Sequence, residues 1–131
     1  MGALRVLIVD DEAELMTALK ERLTLRGFAA EGVTTGADAL AYLEKNPCDV
    51  VLLDVKMPGL GGLEVIQRIK TRWLSLEVVL LTGHGSVRDV EEGMALGAFD
   101  YLMKPVKIED LIQVLEVAGS KRESRPQKSE E

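Results

Sequence analysis

Four short apolar runs, each ending on a polar side chain and separated by stretches of helical spacing, constrain this chain more than any other feature. LRVLIVD (residues 4–10), CDVVLLD (48–54) and LEVVLLT (76–82) are almost continuously aliphatic, and AFDYLMK (98–104) follows. Runs this short, without strict polar alternation, fit strands buried on both faces. FAAEGVTT (28–35) is a fifth, weaker strand. Between them Leu15, Met16, Leu19 and Leu23 share a helical face, as do Ile66, Ile69 and Trp73, and then Ile108, Leu111, Ile112 and Leu115. Gly27 and Gly97 stand where left-handed helix caps are wanted, Asn46 and Pro47 stop the second helix, and Ser86 with Asp89 resembles a capping box. Strand and helix units repeated at this length imply an α/β fold: a parallel sheet, doubly wound, with right-handed crossovers.

With 131 residues, 47% of them hydrophobic, the chain suits one compact domain. We place that domain at residues 1–119. Residues 120–131, SKRESRPQKSEE, lack apolar side chains and mix both charges, so they are expected to be a disordered tail or the start of a linker. An acidic balance of 22 Asp and Glu against 16 Lys and Arg, net −6, argues against direct nucleic-acid binding by this domain. No apolar run approaches the roughly 18 to 20 residues of a membrane span, and the N-terminus lacks signal-peptide character, so a cytoplasmic location is expected. Cys48 is the single cysteine and reads as a small core residue at a strand start.

In an open parallel sheet, side chains beyond the carboxyl ends of the strands converge on one crevice. Asp10 and Asp11 end the first run, Asp54 the third, Thr82 the fourth, and Lys104, just before Pro105, the fifth. If the first and third strands are neighbours, three carboxylates meet there, and such a cluster raises its own pKa values unless a cation joins it. All-oxygen ligands suit a hard cation such as Mg²⁺, often shared with phosphate. A Thr82 hydroxyl and a Lys104 ammonium are donors for phosphoryl oxygens, and a carboxylate can serve as a covalent phosphate acceptor.

LIVDDE, VLLDVKMPGLGG, LLTGHGS and FDYLMKPV, in this order and spacing, resemble the response-regulator receiver domain of two-component signalling, over about residues 4–119. The resemblance implies a five-stranded parallel sheet of order 2-1-3-4-5, the flavodoxin-like arrangement. It implies phosphorylation of Asp54, with Mg²⁺ held by Asp10, Asp11, Asp54 and the backbone carbonyl of Lys56. Thr82 and Lys104 would each grip a phosphoryl oxygen, Tyr101 would be the ring that turns inward on activation, and Lys104–Pro105 would be a cis peptide. Lys56 and His84, two places after Asp54 and Thr82, would border the phosphoryl group and set its lifetime.

The implied partners are a sensor histidine kinase or histidine phosphotransfer protein, and a downstream target or output domain. Targets, or a second copy in a homodimer, would meet the face made by the fourth helix, fifth strand and fifth helix. The domain would be a phosphoacceptor regulator, catalysing only its own phosphotransfer and slow autodephosphorylation.

Each residue also has a plainer role: Asp10 and Asp11 as helix caps, Thr82 as a turn hydroxyl, Lys104 as a solvated charge, Tyr101 as a half-buried strand aromatic, His84 as a loop residue. Two other functions fit the residues less well. A phospho-aspartate phosphatase of the haloacid-dehalogenase kind carries DxD at its nucleophile strand, whereas Val55 and Lys56 follow Asp54 here. A phosphorylation-independent module on this fold would be expected to lack one of the five polar residues, and all five are present.

Overall fold

The computed structural model describes residues 3–83 and 87–123. His84 and Ser86, and with Ser86 the expected capping box, lie outside the described residues. Elements alternate throughout: β1 (Arg5–Val9), α1 (Ala13–Leu25), β2 (Ala29–Val33), α2 (Gly36–Lys45), β3 (Val50–Asp54), α3 (Gly62–Arg72), β4 (Glu77–Thr82), α4 (Val87–Ala95), β5 (Asp100–Met103) and α5 (Ile108–Glu123). All four strand pairings are parallel, and the order is β2-β1-β3-β4-β5, as the resemblance implied.

The sheet separates two apolar layers. Because successive strand side chains point to opposite faces, Leu7, Val9, Val51, Leu53, Val78 and Leu80 pack with α2 and α3. Val6, Ile8, Val50, Leu52, Val79 and Leu81 pack with α1 and α5. This explains why the central runs are aliphatic without alternation: β3 and β4 are buried along their whole length. Each fully buried aliphatic contributes about 1.5–3 kcal/mol, and this is what holds the polar residues at the strand ends in register. The weaker β2 and β5 lie at the two sheet edges, which accounts for their faint sequence signal.

The punctuation matches the sequence. Gly27 and Gly97 have φ of +93° and +114°, and Asn46 caps α2 with its N–H on the Tyr42 carbonyl. Cys48 is buried, its Sγ 3.3 Å from the Val50 carbonyl oxygen. One boundary differs. α5 runs to Glu123, past the expected domain edge at Gly119, because Lys, Arg and Glu are good helix formers and a helix once nucleated propagates readily. Among the described residues no helix is long and apolar enough to cross a membrane.

Candidate functional site

Three strand ends and one loop bring the polar residues together. Asp10 directly follows β1, Asp54 closes β3, and the pairing of Val9 with Leu53 sets them side by side. Asp10, Asp11 and Asp54 each offer a carboxylate oxygen, all within 4.8 Å of one another. Asp10 and Asp54 are buried and Asp11 is exposed, so the cluster opens to solvent on one side.

Local hydrogen bonds aim the carboxylates. Asp10 Oδ1 accepts the Glu12 N–H at 2.9 Å, and Asp54 Oδ1 accepts the Lys56 N–H at 3.3 Å. Neither Asp10 nor Asp11 caps α1; the N-cap position is Glu12. Asp10 Oδ2 is buried and accepts no hydrogen bond among the described residues. Lys104 Nζ approaches it to 2.9 Å as an ion pair that falls short of hydrogen-bond geometry. The same ammonium lies 2.8 Å from Glu12 Oε1 and 3.4 Å from Asp54 Oδ2. A cis Lys104–Pro105 peptide follows β5, as the resemblance implied.

Burial of Asp54, and then the nearby charge of Asp10, push its carboxyl from 3.8 to about 6 against the opposing pull of Lys104. Burial acts to lower the Lys104 pKa, but Glu12, Asp10 and Asp54 together outweigh it and raise it above the ordinary lysine value. At neutral pH the cluster is therefore anionic, with one built-in counter-cation. Three carboxylate oxygens within 4.8 Å of one another, with a single ammonium to offset them, fit a hard divalent cation that keeps part of its water shell.

Thr82 is buried at the end of β4, its hydroxyl donating to the Gly83 carbonyl at 3.2 Å. Tyr101 on β5 is 43% exposed. With Thr82, Val90 and Met94 it lines a largely apolar hollow of about 500 Å³ between β4, α4 and β5. Lys56 points outward: its side chain is 70% exposed and its Nζ lies 3.9 Å from Asp89 on α4. In MPGLGG only two glycines are required. Gly59 has a φ of +74°, and a Cβ on Gly62 would lie 2.5 Å from the Asp54 carbonyl oxygen. Gly61 meets neither condition.

Glu12 and Asp89 join the site beyond the residues expected from sequence. Glu12 had a signal: it is a third consecutive acid, at a helix start where Ser, Thr, Asp or Asn would be usual. Asp89 had none, because the loop that brings Lys56 to α4 has no local periodicity.

Residues 6–116 match the model of the response regulator receiver domain. The chain is 40% identical over 108 residues to the transcriptional regulatory protein TctD of Salmonella typhimurium, an alignment covering 82% of this chain and 48% of that protein. It is 37% identical to the response regulator MprA of a Mycobacterium species, covering 82% and 47%. A response regulator receiver domain protein of Clostridium thermocellum superposes with a TM-score of 0.87 at 32% identity, covering 92% of this chain and 97% of that one. The chain spans about half the length of the curated relatives it matches. The strand order, the strand-end carboxylates and these matches agree: the chain belongs to the response regulator receiver domain family.

Proposed function

We propose that this domain accepts a phosphoryl group on Asp54 from a phosphohistidine of a sensor histidine kinase or histidine phosphotransfer protein, with Mg²⁺ held by Asp10, Asp11, Asp54 and the Lys56 carbonyl. The observation that carries this reading is the meeting of three carboxylates and one ammonium from three strand ends in a single crevice. A bound Mg²⁺ would supply charge neutralisation, both of the carboxylates and of the phosphoryl oxygens they face.

Asp54 is the acceptor: its raised pKa of about 6 leaves it ionised at neutral pH yet more basic than an ordinary aspartate. Its carboxylate oxygen attacks phosphorus while the phosphorus–nitrogen bond of the donor breaks, and the electron pair stays on the imidazole. The product is an aspartyl phosphate. Hydrolysis ends the signal: a water oxygen attacks phosphorus, the phosphorus–oxygen bond to Asp54 breaks, the carboxylate keeps the electron pair, and inorganic phosphate and a proton leave to solvent. Asp10 and Asp11 hold the metal, and the fixed Oδ1 of Asp54 leaves Oδ2 facing Lys104.

Readout follows from the donors. Thr82 can turn its hydroxyl from the Gly83 carbonyl to a phosphoryl oxygen, and Lys104 can exchange a carboxylate for another. Two such charge-assisted bonds, each about 1.5–3 kcal/mol, approach the about 5.5 kcal/mol that carries a two-state equilibrium from 1:99 to 99:1. The hollow beside Thr82 gives the Tyr101 ring a place to turn inward. The face of α4, β5 and α5 would then change its fit to an output domain, a target or a second copy.

Phosphoramidate, a small phosphorus–nitrogen donor, tests the reading. With Mg²⁺ it should add one phosphoryl group to the protein and none to the Asp54→Asn variant. Equal modification of both would overturn the assignment.

A further inference from the structure

We propose that Glu12 is a positioning residue for Lys104, holding the ammonium at the edge of the acidic cluster so that a divalent cation can enter. The proposal rests on the reading of the cluster as a cation site. Glu12 is the N-cap residue of α1, yet its side chain makes no cap hydrogen bond. Glutamate is a poor choice for that position on capping grounds alone. Its backbone and side chain both serve the cluster instead: the N–H donates to Asp10 Oδ1 at 2.9 Å, and Oε1 accepts from Lys104 Nζ at 2.8 Å.

The geometry gives this contact a purpose. Lys104 lies 2.9 Å from the buried Oδ2 of Asp10 and 3.4 Å from Asp54 Oδ2, oxygens that a cation would need. The ammonium's three donors are shared among three carboxylates, and the Glu12 contact at 2.8 Å, from a side chain 61% exposed and outside the cluster, draws on one of them. Without Glu12, the ammonium retains only Asp10 and Asp54, and it competes with the incoming cation for both. When Asp54 carries a phosphoryl group, Glu12 competes with it for the Lys104 ammonium, so the same contact opposes the switched state.

A double-mutant cycle on the full chain, read as the dissociation constant for Mg²⁺ alone by titration calorimetry, tests this. Glu12→Gln should weaken Mg²⁺ binding about two- to fivefold, the range of an exposed charged pair. In a Lys104→Ala background the same change should have less than half that effect on a logarithmic scale. Equal weakening in both backgrounds would show that Glu12 acts only through its charge on the cation, and no weakening would remove its role; either result overturns the proposal. A second measurement serves if Lys104→Ala fails to fold. The ammonium resonance of Lys104 in nitrogen-15 spectra should shift between the metal-free wild type and Glu12→Gln, and an unmoved resonance would refute the contact. Failure of the underlying reading looks different, since wild type would then bind no Mg²⁺ at all.

Discussion

Removing the negative charge of Asp54 should make the metal-free protein more stable. Its carboxyl is raised from 3.8 to about 6, chiefly by burial and then by Asp10, a difference worth about 3 kcal/mol at about 1.4 kcal/mol per pKa unit. The folded protein therefore holds this proton more tightly than the unfolded chain does. The stability it contributes is fully present below 3.8 and is lost as pH rises through about 6. Asn mimics the protonated carboxyl in shape and charge. Lys104 loses a contact at 3.4 Å in Asp54→Asn but keeps Asp10 and Glu12, so no buried ammonium is left unpaired.

In EDTA at pH 7.5, Asp54→Asn should therefore exceed wild type by up to about 3 kcal/mol in unfolding free energy, and the gap should close toward pH 4. Urea titrations followed by fluorescence of Trp73, which packs against the core, would measure it. On the proposed reading, saturating Mg²⁺ should stabilise wild type and narrow the gap from the other side, because the cluster exists only in the folded state. A variant no more stable than wild type at pH 7.5, or a gap that does not change between pH 4 and pH 7.5, would refute the electrostatic account.

Three further outcomes are expected. Lys104→Ala should still permit some phosphorylation of Asp54 while losing the phosphorylation-dependent amide shifts of α4 and α5, and full shifts in that variant would assign the transmission to another group. Lys56→Asn should lose phosphate faster, because the long side chain can leave Asp89, 3.9 Å away, to cover the in-line path of water; an unchanged or slower loss would show that Lys56 stays on α4. Gly62→Ala should destabilise the fold by about 1–3 kcal/mol and displace the loop after β3, since its Cβ would press on the Asp54 carbonyl; wild-type stability would show that the loop yields freely.

The fold was legible where burial leaves a periodic trace. Val50–Leu53 and Val78–Leu81 are aliphatic on every position because helices cover both faces, and that same pattern marks them as central strands. The edge strands β2 and β5 carry less of it. Strand order left no local trace: it came from the likeness of the motifs to a family, and the register of β1 on β3 then made neighbours of Asp10 and Asp54. What the sequence hid were contacts across turns. Glu12 reaches Lys104 across 92 positions, and the outward course of Lys56 toward Asp89 depends on how the loop after Asp54 folds against Gly62. The helical extension of α5 was hidden for another reason, since Lys121, Arg122 and Glu123 favour a helix but add nothing to an apolar period.

Chemical trapping of the phosphorylated residue tests the central claim most directly. Borohydride reduces an aspartyl phosphate to homoserine and leaves free carboxylates intact, so brief exposure to phosphoramidate and Mg²⁺, followed by reduction and peptide mapping, reads out the acceptor itself. The account predicts homoserine at position 54 alone, dependent on Mg²⁺ and reduced when Asp10 or Asp11 is replaced by Asn. Homoserine at Asp10 or Asp11 with Asp54 intact, or no reducible acyl phosphate in a protein that carries the added phosphoryl mass, would contradict it.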